Sequence, residues 1–92
     1  MPQVFRIGAY LVYFWSDEGH PLEPIHVHVA QGTPHENATK VWITSKGHCL
    51  LANNRSEVPA RQLRIIMRTI EAQHREVEEQ WLQYFGEIRY YC

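Results

Sequence analysis

The sequence predicts an α+β fold: a small, mainly antiparallel sheet of about five strands, followed by one long C-terminal amphipathic helix packed on one face. Two observations lead to this prediction. Short runs of β-branched and aromatic residues, separated by Gly, Pro and Asn, fill residues 3–52. From residue 59 onward the apolar residues instead recur at spacings of three and four, which is the pattern of one buried helix face.

Length and composition limit what kind of protein this is. The 92 residues predict one domain over 1–92, because they leave no room for a second core. A net charge of -1 argues against nucleic-acid binding by the whole surface, although it allows a local basic patch. Two cysteines, Cys49 and Cys92, are too few for a disulfide scaffold. Since neither a signal peptide nor a membrane-length apolar run is evident, we expect a cytoplasmic protein without membrane contact.

The strands are predicted from alternation and turn residues. Gly8 and Ala9 suit a type II′ turn, which makes residues 3–16 a hairpin. This turn predicts four facing pairs: Ile7–Tyr10, Arg6–Leu11, Phe5–Val12 and Val4–Tyr13. Phe5 and Val12 then share one apolar face of the sheet, whereas Arg6 lies on the other. Three further strands are predicted at residues 25–31, 38–44 and 48–52.

A single helix is predicted over residues 59–85. Pro59 fits its first turn, and Gly86 is a suitable residue just after its end. At 1.5 Å per residue this helix is roughly 40 Å long, which exceeds the width of so small a domain. One end should therefore overhang the sheet, and residues 87–92 form either a sixth strand or an ordered tail. We expect the overhanging apolar residues to contact a second copy or another protein: Trp81, Leu82 and Phe85.

The sharpest chemical pattern is the pair His26 and His28. Strand residues two apart point to the same face, so the two imidazoles lie side by side. Such a pair can ligate a metal ion, with Zn as the expected cofactor, or act as a general acid and base. The alternative is that both are polar residues on the solvent face of a half-buried strand. A metal site also needs a third ligand, for which the candidates are His20, Glu23, His35, His48 and Cys49.

Arginines occupy two positions of interest. Arg6 is a charge among large apolar groups, and it either extends over them into solvent or binds an anion beside the histidines. A second group crowds the start of the helix: Arg55, Arg61, Arg64 and Arg68. This order opposes the helix dipole, which favours acids early and bases late. It indicates an anionic partner such as phosphate, RNA or an acidic protein surface, unless it is simply a solvated helix face.

Several segments together resemble a known family. They are Met1–Gly8, Glu23–Val29, Ala38–Ile43 and a C-terminal helix that ends near Trp81. Over residues 1 to about 85 the chain resembles the bacterial family called domain of unknown function 4160. It departs from that family at Ser56–Pro59, where a Gly-Phe-Ser-like sequence usually leads into the helix.

The resemblance implies a small stand-alone bacterial protein, often encoded beside another small uncharacterised domain, which makes toxin–antitoxin pairs a candidate system. It points to the positions of Arg6, His26, His28 and Trp42 but names no substrate. We therefore expect a toxin–antitoxin-like component acting through a partner: a cognate protein from a neighbouring gene or a second copy bound through the helix, with RNA as a further partner. The alternatives are a metal-binding domain built on the two histidines and a small ribonuclease-like enzyme, in which the arginines hold the phosphate.

Overall fold

Five strands form one sheet in which each strand pairs with its neighbour in sequence. The computed structural model describes residues 3–16 and 22–92. Its strands are β1 (Gln3–Ile7), β2 (Tyr10–Tyr13), β3 (His26–Gln31), β4 (Thr39–Ile43) and β5 (Cys49–Asn53). All four pairings are antiparallel, which confirms the predicted type of sheet.

The first hairpin has the predicted register next to its turn. Arg6 faces Leu11 and Phe5 faces Val12, and Gly8 takes a φ of 57° that glycine adopts without strain. Further from the turn the register shifts, so that Tyr13 faces Gln3. The predicted pairing of Tyr13 with Val4 is wrong because a β-bulge adds a residue to β1.

The prediction of one long helix is wrong, because the helical region is divided in two. Helix α1 covers Ala60–Ala72 and α2 covers His74–Phe85, with the break at Gln73. The molecule measures 33 Å along its longest axis, so a straight helix of roughly 40 Å would pass beyond the sheet. Val77 and Trp81 of α2 continue the buried face of α1 into the core, where both are fully buried.

One face of the sheet and the two helices enclose the core. Alternate strand residues such as Val27 and Val41 meet Ile66 and Ile70 of α1, and all four are fully buried. The opposite face carries a smaller apolar cluster of Leu11, Tyr13, Ala30 and Ala38. Helix α1 therefore covers one face of the sheet, and the histidine pair lies on the other face, where the His26 ring also contacts Trp81 of α2.

Residues 87–92 fold back onto the sheet as an ordered tail without forming a strand. The Arg89 carbonyl accepts a hydrogen bond from the Ile25 amide at 2.7 Å, and the Cys92 carbonyl accepts one from Ser45 at 3.0 Å. Gly86 permits this return, since its φ of 76° ends α2 in the left-handed conformation. The tail thus packs against sheet surface that the predicted overhanging helix would have left exposed.

The break between the helices lies against the turn that joins β4 to β5. A Cβ on Gly47 would lie 2.8 Å from Nε2 of His74, the first residue of α2. On the other side of its ring, Nδ1 of His74 is 2.7 Å from a Glu78 carboxylate oxygen. His74 is therefore a half-buried packing residue that connects α2 to the turn.

Candidate functional site

The two histidines lie side by side on β3, on the face opposite α1. Their ring centroids are 5.0 Å apart with the ring planes nearly perpendicular. His26 faces Trp42 on β4, whereas His28 faces Tyr13 on β2 and Lys40 on β4. The predicted pairing of the two imidazoles on one face is confirmed by this register.

His26 is fully buried, so the interpretation that places it on a solvent face is wrong. Its ring lies 5.7 Å from the Trp42 ring and 5.4 Å from the Trp81 ring, between centroids. Nδ1 is 2.9 Å from the Pro24 carbonyl oxygen, which can only accept. The proton therefore sits on Nδ1, and Nε2 is the nitrogen that carries the lone pair in the neutral ring.

His28 is only half-buried and is the more accessible of the two. Its ring centroid is 5.5 Å from that of Tyr13. On the neighbouring strand β4, the Lys40 ammonium lies 4.3 Å from the centre of the Trp42 ring and 3.0 Å from a Glu23 carboxylate oxygen. Tyr13, His28 and Lys40 thus form one cross-strand row, and Lys40 is paired with the Glu23 carboxylate.

The C-terminal tail forms part of this surface. Tyr91 stacks on Trp42 with ring centroids 4.8 Å apart and planes within 3° of parallel. Three residues of this site are not among those predicted from the sequence: Tyr13, Lys40 and Tyr91. The two-residue period of the strands places Tyr13 and Lys40 on the histidine face, but no local pattern indicates that Tyr91 returns to it.

Arg6 shares the histidine face without touching the pair. It faces Leu11, which in turn faces Ala30, two residues beyond His28 on β3. Two strand spacings and two residue rises put the Cα atoms of Arg6 and His28 about 12 Å apart. The exposed Arg6 guanidinium would therefore contact only the outer edge of a ligand bound at the histidines.

A metal site at the pair lacks a third ligand in the part of the chain that the structure describes. Glu23 is engaged by Lys40, and Cys49 packs against the helix-covered core on the other face. Burial and the neighbouring Glu71 carboxylate raise the pKa of the Cys49 thiol to about 12, so the metal-binding thiolate is disfavoured. His20, another candidate ligand, lies outside the described residues.

The remaining arginines lie with α1, away from the histidine face. Arg61, Arg64 and Arg68 are exposed, and the last two line a shallow groove beside Cys49 on β5. Arg55, in the loop before α1, lines a separate open cleft of about 450 Å³ with Tyr10 and others. The structure therefore does not bring the helix arginines together with the histidines.

The loop that leads into α1 is held tightly around Asn54. Its side-chain oxygen accepts from the Val58 amide and its NH2 group donates to the Val58 carbonyl, each at 3.0 Å. Glu57 takes a φ of 55°, the one positive value for a non-glycine among the described residues. These bonds fix the loop, and with it the position of Arg55 against α1.

The three apolar residues predicted as an association surface have different environments. Trp81 is a core residue against Phe14 and Phe85, and its buried Nε1 has no hydrogen-bond partner among the described residues. Phe85 is half-buried on the same cluster, whereas the side chain of Leu82 is 45% exposed. Of the three, Leu82 is the one whose side chain is available to a partner.

Among the described residues there is no helix with the length and apolar character needed to cross a membrane. Curated proteins and solved structures gave no match. Residues 9–82 match the family described as Domain of unknown function (DUF4160), which covers both the histidine strand and the helices. The chain therefore belongs to the DUF4160 family.

Proposed function

We propose that this protein is a toxin–antitoxin-like component that acts by binding a partner protein with an acidic contact surface, such as the product of a neighbouring gene. The observation that carries the proposal is the row of arginines on α1. Arg61, Arg64 and Arg68 are exposed, and within residues 3–16 and 22–92 they form no ion pair.

The arginine row works against the stability of its own helix. The first turn of α1 holds Arg61 and no acidic residue, and in the described structure no side chain caps the helix at Pro59. A basic residue in this position costs about 0.3–1 kcal/mol through the helix dipole. Carboxylates of a partner would offset this cost, because they neutralise the arginines and interact favourably with the helix N-terminus.

The setting of these arginines favours a protein over a nucleic acid as the partner. The exposed Ile65 lies between Arg64 and Arg68 in sequence and lines a groove with the latter. Protein interfaces combine arginine with apolar contacts, whereas phosphate backbones are bound mainly through charge and hydrogen bonds. Glu71 lies at the end of the same row, where it would repel a continuous phosphate chain.

The experiment is co-expression of the full chain with the product of the adjacent gene, followed by copurification and titration calorimetry. We expect a complex whose affinity falls at least about tenfold when Arg64→Glu and Arg68→Glu are combined. Arg75→Glu, an exposed arginine on α2, is the matched control and should change affinity far less. Expression of one protein alone should arrest growth, and its partner should relieve the arrest. Failure to copurify would rule out the proposal.

A second candidate function is phosphate or RNA contact at the histidine face. The half-buried His28 beside Lys40, with Arg6 on the same face, favours it. In a ribonuclease-like reaction His28 would supply or remove the proton, because the buried His26 donates to Pro24 and is less accessible. Cleavage of a short RNA that is lost in His28→Ala, and retained in Arg68→Glu, would support this candidate over partner binding.

A further inference from the structure

We propose that the partner inserts an extended acidic segment along the outer edge of β5, adding a sixth strand to the sheet. This inference rests on the proposed function, since it names the chemistry of the segment that meets the arginine row. The two edges of the sheet differ in how they are protected. Both edge strands carry a β-bulge, but β1 also carries the exposed charge of Arg6, which discourages strand addition, whereas Cys49–Asn53 contains neither a charged residue nor a proline.

The backbone of β5 presents bonding groups on this edge. Leu50 faces Trp42, and the neighbouring bond from Thr44 to the His48 carbonyl shows that residues 48 and 50 point toward β4. Because backbone groups alternate along a strand, those of Cys49 and Leu51 point outward. The Cys49 amide indeed donates outward, to a Glu71 carboxylate oxygen at 3.0 Å. In the described structure the N–H and C=O of Leu51 have no strand opposite them.

Exposed apolar side chains flank the same edge. Leu50 is 44% exposed on the histidine face and Leu51 is 36% exposed on the helix face. A strand placed here would cover apolar surface on both of its faces, which is how strand addition gains specificity.

Charge determines which segment fits. Helix α1 runs antiparallel to β5, since Cys49 at the start of the strand contacts Met67 and Glu71 near the helix end. Leu51 therefore lies toward Arg64 and the start of the helix. Glu71 already occupies the position where an incoming carbonyl would meet Cys49, so pairing proceeds from Leu51 toward the arginines. An added strand whose acidic residues face α1 matches the positive charge of these arginines.

A second copy of the chain fits less well. Two β5 strands would bring together sequences without acidic residues, and the helices above them would lie side by side. Arg64 and Arg68 of both copies would then share one interface, which like charges disfavour. The observations thus favour an acidic segment of another protein over self-association at this edge.

The test uses the full chain and a fluorescein-labelled short peptide of alternating valine and glutamate, with a valine–lysine peptide as the matched probe. Fluorescence anisotropy should show binding of the acidic peptide only. Arg64→Glu combined with Arg68→Glu should reverse this preference. Leu51→Pro should weaken binding about tenfold, because it removes the outward N–H while leaving the bonds of Leu50 to β4 intact. Arg75→Glu, the exposed control on α2, should leave binding unchanged.

A measurement on the unmodified protein makes the test independent of whether Leu51→Pro folds. With the acidic peptide bound, amide exchange by NMR should slow at Leu51 and stay constant at Leu50, which is already paired. Unchanged exchange at Leu51 would overturn the proposal. So would competition by single-stranded RNA for the same arginines, or a dimer by sedimentation that Leu51→Pro dissociates.

The same variants separate this inference from the proposed function. If the neighbouring gene's product binds Leu51→Pro as well as the wild type, but loses affinity for the Arg64→Glu/Arg68→Glu variant, the partner role stands and strand addition is excluded. If the wild type binds the acidic peptide through Leu51 but not the neighbouring gene's product, the proposed partner is wrong and the strand site stands.

Discussion

The two faces of the sheet are built from the same strands but stabilised differently. The helix face is aliphatic and continuous, with Val27 and Val41 against Ile70, and depends on the burial of apolar area. The histidine face holds rings and titratable groups such as His26 and Trp42, each with specific neighbours. Non-directional packing tolerates shifts of position, whereas hydrogen bonds and stacked rings require particular geometries. The histidine face is therefore where chemistry is positioned, and the helix face keeps it in place.

The largest effect should come from opening the helix face. Ile70→Ala removes a fully buried side chain at the centre of the core and should lower the free energy of unfolding by about 2–5 kcal/mol. Urea denaturation followed by far-UV circular dichroism measures this loss. Ile65→Ala, on the exposed side of α1, is the control and should cost about 0.5 kcal/mol or less. Equal losses in the two variants would contradict the assignment of the helix face.

A smaller loss is expected when the histidine face is opened at its buried member. His26→Ala removes the bond to Pro24 and the contacts with Trp42 and Trp81, at about 1–3 kcal/mol. His28→Ala should cost less, because its ring is half-exposed. For a domain of this size the difference amounts to several degrees in Tm. A double variant whose Tm stays within a few degrees of wild type would show that His26 contributes little to folding.

The tail should contribute least to the histidine face. Tyr91→Ala removes the stacked ring from Trp42 while leaving both backbone bonds of the tail, and should cost about 0.5–1 kcal/mol. Trp42 fluorescence should change, since its ring gains contact with water. Tyr91→Phe preserves the stack and is the matched control. If both variants change stability and fluorescence alike, the stack is not responsible.

At neutral pH the free energy of unfolding should not depend on the ionisation of Cys49 or Tyr90. In strong alkali it should fall. Burial raises the pKa of Cys49 from 9.0 to about 12, and the hydrogen bond to Glu78 raises that of Tyr90 from 10.0 to about 12. Because the folded protein binds these protons more tightly, the stability they contribute is full below pH 9 and is lost as pH approaches 12.

Urea denaturation across this alkaline range measures the decline. Cys49→Ala combined with Tyr90→Phe should flatten it, and each single variant should remove a part. Alkylation at mildly alkaline pH should modify the exposed Cys92 and spare Cys49. Rapid alkylation of Cys49 in the folded protein would show that its thiol is more accessible and more acidic than the structure indicates.

The sequence predicted what depends on local periodicity. Two-residue alternation placed His26 and His28 on one face, and the Gly8 turn determined the register of Arg6 and Phe5. It did not predict the break at Gln73, because the helix face remains amphipathic on both sides and neither proline nor glycine interrupts it.

The candidate site was predicted less completely for a related reason. The burial of His26 depends on the Trp81 ring, and the aromatic stack on Trp42 depends on Tyr91. Both Trp81 and Tyr91 are distant in sequence from β3. Contacts of this kind arise only when the C-terminal segment folds back, and no spacing within the strands signals them. The helix arginines lie away from the histidines for a similar reason, because α1 packs on the other face of the sheet.

The sequential order of the strands has a consequence for how the chain folds. Every strand pairs with its neighbour in sequence, so the sheet can grow by one hairpin at a time with short loops to close. The tail differs, because the bond from Ile25 to Arg89 spans more than half of the chain and can form only after α2 has docked. The histidine face should therefore be completed late in folding. In a φ-value experiment the β2–β3–β4 hairpins should score high and Tyr91 near zero.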